Sequence, residues 1–110
     1  MTTTFNMQDQ NISMVKGDTL SFGLEIEGLT DLDSAYFTCK KDLDESPVFQ
    51  KSIGNGITKL TDGQYIVRIA PEDTNDIEAG KYFYDLQISA NSDVFTILRG
   101  VLDILQDVTN

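Results

Sequence analysis

The run Ala79-Gly80-Lys81-Tyr82-Phe83-Tyr84-Asp85-Leu86-Gln87-Ile88 constrains this chain more than any other stretch. Side chains of a strand alternate between two faces. Tyr82, Tyr84, Leu86 and Ile88 therefore share one side, and Lys81, Phe83, Asp85 and Gln87 share the other. Residues 19–27 repeat the pattern. Leu20, Phe22, Leu24 and Ile26 fall on one face and Ser21, Gly23, Glu25 and Glu27 on the other. Such segments belong to sheets with one buried and one wet face.

The rest of the chain supplies further short strands of the same kind. Residues 11–15 form a first strand, closed by the turn Lys16-Gly17-Asp18. In residues 34–41, Ala35, Phe37 and Cys39 face in and Tyr36, Thr38 and Lys40 face out. Residues 48–53 read as an edge strand on which Lys51 discourages further pairing. Residues 57–60 and 64–70 form a hairpin about Thr61-Asp62-Gly63. The stretch from Pro71 to Ile77 reads as one helical turn, with proline at its start and acids near its N-terminal end. Residues 94–105 make the last long strand, with Gly100 as a bulge or bend.

Seven to nine strands with turns about every ten residues and one helical turn predict an all-β antiparallel sandwich or barrel. Gly80 lies two residues before Tyr82 at a strand start, just after the Pro-led crossover. This spacing resembles the tyrosine corner of immunoglobulin-like sandwiches, where a tyrosine hydroxyl bonds back to upstream backbone. The resemblance selects the sandwich and makes Gly80, Tyr82, Tyr84 and Phe22 its defining residues. Tyr84 stands where antibody domains carry their second disulfide cysteine, so the likeness is one of architecture. The expected organisation is a flexible arm over residues 1–10, one sandwich over 11–106 and a tail over 107–110.

At 110 residues the chain is one domain that buries roughly 60–70% of its unfolded surface. Its single cysteine, Cys39, permits no intrachain disulfide and reads as a small buried hydrophobe. Histidine is absent. That removes the commonest general base and transition-metal ligand, and with it any Ser-His-Asp triad or Cys-His pair. Zinc lacks its ligands, and no glycine-rich phosphate loop is present. No enzyme activity and no cofactor are expected. A net charge of −10 repels phosphate backbones, so nucleic acid is an unsuitable partner. No apolar run approaches the ~20 residues of a membrane helix, and residues 1–8 carry no secretory-signal pattern.

Two acidic clusters remain, Asp31 with Asp33 and Asp42 with Asp44 and Glu45. They flank a strand roughly 25 Å long, too far apart for the 5–10 Å, approximately, of a glycosidase pair. Asp31-Leu32-Asp33-Ser34 resembles the opening of a calcium loop. It lacks the glycine and glutamate that such a loop requires at its sixth and twelfth positions. Asp31 and Asp33 are the calcium candidates on these terms, and the ordinary reading is a solvated loop. Strand parity makes Tyr36, Phe49 and Phe83 candidate exposed aromatics, suited to a neighbouring subunit or a sugar.

Several pieces occur together in one order: Val15-Lys16-Gly17-Asp18-Thr19-Leu20-Ser21-Phe22, Leu29 to Phe37, Leu60-Thr61-Asp62-Gly63-Gln64-Tyr65, Ile69-Ala70-Pro71-Glu72-Asp73-Thr74, Ala79 to Gln87 and Thr96-Ile97-Leu98-Arg99-Gly100. This order resembles small immunoglobulin-like phage and prophage structural proteins. It is similar to the N-terminal domain of phage baseplate upper proteins, over about residues 12–105. The resemblance implies a virion protein of the tail, baseplate, head fibre or capsid decoration. It would dock on other virion proteins in a homo-oligomer or symmetric assembly put together in the host cytoplasm. The chain departs from the baseplate pattern in having no long C-terminal extension. A bacterial surface or carbohydrate-binding sandwich module is the alternative.

Overall fold

The computed structural model describes residues 8–26 and 31–108. Nine strands and one helical turn follow in order: β1 (Gln8–Asp9), β2 (Ile12–Val15), β3 (Leu20–Glu25), β4 (Ser34–Lys40), β5 (Phe49–Ile53), β6 (Gly56–Thr61), β7 (Gln64–Ile69), α1 (Pro71–Thr74), β8 (Gly80–Ala90) and β9 (Asp93–Leu105). One layer runs β9-β8-β4-β5, with β1 and β2 added in parallel along β9. The other runs β6-β7-β3. Among the described residues a two-residue parallel pairing joins them, Ser52 to Gly56 and Ile53 to Ile57. The layers fold over at this corner, bringing Phe22 of β3 to Phe37 of β4 with ring centroids 6.0 Å apart. The architecture is an immunoglobulin-like β-sandwich.

Aromatic rings hold its centre. Phe37 is wholly buried and stacks on Tyr84 at 5.2 Å and on Phe49 at 6.1 Å. Each such pair contributes about 0.5–1.5 kcal/mol beyond the area it buries. Cys39 is buried and unbonded. The inward residues of β3 are half-buried, because β3 ends its layer among the described residues.

Three buried tyrosines extend their hydroxyls to the backbone. Tyr82 donates to the Glu78 carbonyl at 2.6 Å, four residues upstream, which is the tyrosine corner. Gly80 precedes it at φ 144°, a conformation that a side chain would strain. Tyr84 donates to the Gln10 carbonyl, and Tyr65 accepts from the Leu32 amide at 3.1 Å.

Three local expectations are corrected. Gly100 is neither bulge nor bend: it lies in register opposite Tyr84, and the register shift falls between Leu86 and Gln87, leaving Ile97 as the extra residue. A Cβ on Gly100 would come within 2.3 Å of the Gln10 carbonyl oxygen. The glycine is needed because the chain between β1 and β2 passes close against β9, where Asn11 Oδ1 also accepts from the Val101 amide at 3.1 Å. Nor is β5 an edge strand, since it pairs with both β4 and β6. Its Lys51 is buried and bonds Asp73 of α1 at 2.7 Å. Asp73 also accepts from the Ala70 amide, and Thr74 accepts from the Gly17 amide. The helical turn thus clamps the layer corner and the β2–β3 turn at one end of the sandwich. Finally, Gln8 and Asp9, expected within the flexible arm, pair with Leu98 and Arg99. The earlier part of that arm, residues 1–7, lies outside the described residues.

Tyr82→Phe should cost about 0.5–1.5 kcal/mol through the lost hydroxyl bond. Unaltered thermal unfolding would refute the contact. Gly100→Ala should cost about 1–3 kcal/mol by forcing the β1–β2 junction off β9. Hydrogen exchange should show the Gln10 and Val101 amides losing protection first.

Candidate interaction face

The outer surface of the β9-β8-β4-β5 layer carries two of the three candidate aromatics, Tyr36 and Phe83. Register and alternation set them in rows across the strands. Ser52, Tyr36, Gln87 and Thr96 form one row, and Gln50, Thr38, Asp85 and Arg99 the next. Lys40, Phe83 and Val101 follow, and then Lys81 and Asp103. Tyr36 and Phe83 are each 41% exposed and lie on a diagonal across this surface. Leu43, in the loop after β4, is exposed and lines a depression with Phe83.

Phe49 does not join them. It is buried and stacks on Phe37. The strand parity of β5 is opposite to the expected one: Phe49 and Lys51 point inward and Gln50 points out. The lysine disguised this parity, since an inward ammonium is rare without a partner, and its partner Asp73 lies 22 residues away. The signal available in the sequence was the shared parity of Phe49 and Lys51.

Two depressions indent the face. The larger, about 510 Å³, has Phe83, Val101 and Leu43 as apolar walls, with Lys40, Asp85 and Arg99 among its polar lining. The smaller, about 270 Å³, lies beside Tyr36. Both include Thr38, Lys40 and Asp85. Burial pushes the Asp85 carboxyl above its ordinary range, and the Lys40 ammonium partly opposes the shift. Among the described residues no ammonium or guanidinium comes within ion-pairing distance of Asp85.

The calcium candidates are not brought into a cation site. Asp31 binds the Lys59 ammonium at 2.8 Å, so its counter-charge is a side chain of this protein. Lys59 also reaches Asp62 at 3.3 Å. Among the described residues no group of three or more metal-ligating side chains converges. Burial pushes the Cys39 thiol up to about 12, which keeps it protonated and unreactive at neutral pH. Gly80, Tyr82, Tyr84 and Phe22 lie in the sandwich framework beneath the face, not on it.

No family model matches the chain, and no curated protein does. Among solved structures it is similar to the swine CD8αα homodimer, with TM-score 0.49 and 12% identity, covering 94% of this chain and 98% of that one. The first immunoglobulin domain of mouse SynCAM 2 gives 0.45 and 13%, covering 94% and 97%. The extracellular domain of the voltage-gated sodium channel β4 subunit gives 0.43 and 10%, covering 98% and 100%.

Because the Asp85 pKa is raised on folding, its ionisation opposes the folded state. That cost is absent below the unfolded value, about 3.9, and is fully present once pH exceeds the folded value. Asp85→Asn should therefore unfold at a higher temperature than the parent at about pH 7, and the gap should close towards about pH 3. A lower unfolding temperature for the variant at neutral pH would show that the carboxylate has a compensating partner.

Proposed function

We propose that this domain is a non-enzymatic structural subunit of a phage particle that works by docking the outer face of its β9-β8-β4-β5 layer on another virion protein. The observation that carries the reading is the charge distribution. The chain has 18 acidic and 8 basic residues, yet this face bears three basic residues, Lys40, Lys81 and Arg99, against two acidic ones, Asp85 and Asp103. On such a surface another protein meets little like-charge repulsion. Exposed Tyr36 and Phe83 supply the aromatic anchors that protein interfaces favour. The depression walled by Phe83, Val101 and Leu43 can receive an apolar side chain.

The virion setting comes from the ordered sequence pieces that resemble phage and prophage structural proteins. The absence of histidine and the protonated Cys39 thiol support a role without catalysis. On this reading the partners are other virion proteins in a symmetric assembly, put together in the host cytoplasm.

Mass spectrometry of purified particles should find the chain in a fixed ratio to the major capsid protein. Phe83→Asp should leave the isolated domain folded, because the ring is exposed, and lower incorporation by about tenfold or more, the effect of losing an interface anchor. Absence from clean particles despite expression would sink the virion reading. Normal incorporation of the variant would move the docking surface elsewhere.

A further inference from the structure

The smaller depression has a chemistry that protein docking does not require. Beside the Lys40 ammonium and two hydroxyls, its lining holds three acceptor groups, Gln50, Gln87 and Asp85, that receive no donor from a described side chain. Gln50 turns its Nε2 to Thr38 Oγ1 at 2.9 Å, and Gln87 turns its Nε2 to Thr96 Oγ1 at 3.4 Å. Both amide oxygens are left over. Asp85 shares a row with Gln50 and stands next to Gln87 on the outward side of β8, half-buried, and no described side chain donates to it or pairs with it. A carboxylate withdrawn from water without donors is costly, and its raised pKa agrees with that cost. Beside these acceptors lies the Tyr36 ring, directly across from Gln87 and 41% exposed. The recess holds about 270 Å³ and opens to solvent.

An acceptor-rich hollow next to an aromatic face complements a ligand that brings several O–H donors on a small ring with an apolar side. We propose that this recess binds one hexopyranose unit of a neutral glycan, its C–H face on Tyr36 and its hydroxyls donating to Asp85, Gln50 and Gln87. Hydroxyl bonds to a carboxylate are charge-assisted and short, and they restore the solvation that Asp85 loses. Lys40, which also lines the recess, can donate to a ring or hydroxyl oxygen. The chain's net charge of −10 disfavours acidic sugars. A recess this shallow gives weak single-site binding, in the millimolar range of about −4 kcal/mol. The recess shares Tyr36 with the docking face, so on any one subunit the sugar and a docked protein exclude each other, and only copies with this face open can bind. The site goes beyond the docking role, and the isolated chain displays it whether or not that role holds.

The test is an NMR titration of the whole chain with neutral oligosaccharides of glucose, galactose, rhamnose and N-acetylglucosamine, and with sialyllactose as an acidic probe. At least one neutral probe should shift amides near Tyr36, Gln50 and Asp85 to Gln87, while sialyllactose should not. Tyr36→Ala should weaken that binding at least about tenfold, and Tyr36→Phe should retain most of it, both variants keeping the parent's unfolding temperature. The proposal is overturned by no shift up to about 20 mM of any neutral probe, where a millimolar site is nearly full. Shifts elsewhere, or unchanged binding by Tyr36→Ala, overturn it too. A chain that enters particles normally but shows no sugar-induced shift loses this site and keeps the docking face.

Discussion

The two layers are locked by aromatic rings and by the Tyr65 hydroxyl, and the rest of the structure depends on that lock. A sandwich with a single cysteine must resist sliding of its layers by packing alone. Phe37 supplies the centre, in contact with Phe22 from the opposite layer and with Tyr84 and Phe49 from its own. The hydroxyl of Tyr84 carries the same side chain outward to Gln10, fixing the parallel edge formed by β1 and β2. Tyr82 and Tyr65 fix the crossover and the segment before β4 in the same manner. Each hydroxyl bond adds about 1 kcal/mol. Their larger effect is geometric, since they set where chain ends and connections leave the sandwich.

That framework is what presents the outer face of the β9-β8-β4-β5 layer. β4 and β8 are central in the layer and bury their inward residues almost completely. Their outward residues therefore stand on a stiff base. Tyr36, Asp85 and Phe83 hold fixed spacing because Phe37, Tyr84 and Leu86 beneath them are immobilised by the core. The acidic surplus lies mostly in turns, loops and the helical segment, leaving this surface low in net charge.

The sequence made the long, strictly alternating strands legible. β3 and β8 follow from period-two patterning, and the corner at Tyr82 follows from its glycine and the proline ahead of it. The exposure of Tyr36 and Phe83 follows from the same parity. What could not be read locally was every feature set by a distant partner. Lys51 looked like an edge guard because its counter-ion lies in a different element. Misplacing that side chain also misplaced Phe49, since a strand assigned the wrong face inverts every residue on it. Gly100 suggested a bulge because the segment that crowds it precedes it by some ninety residues, a separation that the Val101–Asn11 bond spans. The acceptor-rich recess is equally non-local, assembled from three strands that no sequence window contains together.

The buried, protonated thiol of Cys39 has one more consequence. A fold held by packing and hydrogen bonds, with its one cysteine buried and free, has no covalent link between its layers to make or break. Its stability is the same in a reducing and an oxidising medium. The domain can thus mature in one redox environment and serve in another without an isomerase or a change of shape. A cysteine introduced on its surface would be the only thiol open to labelling, with Cys39 silent beneath it.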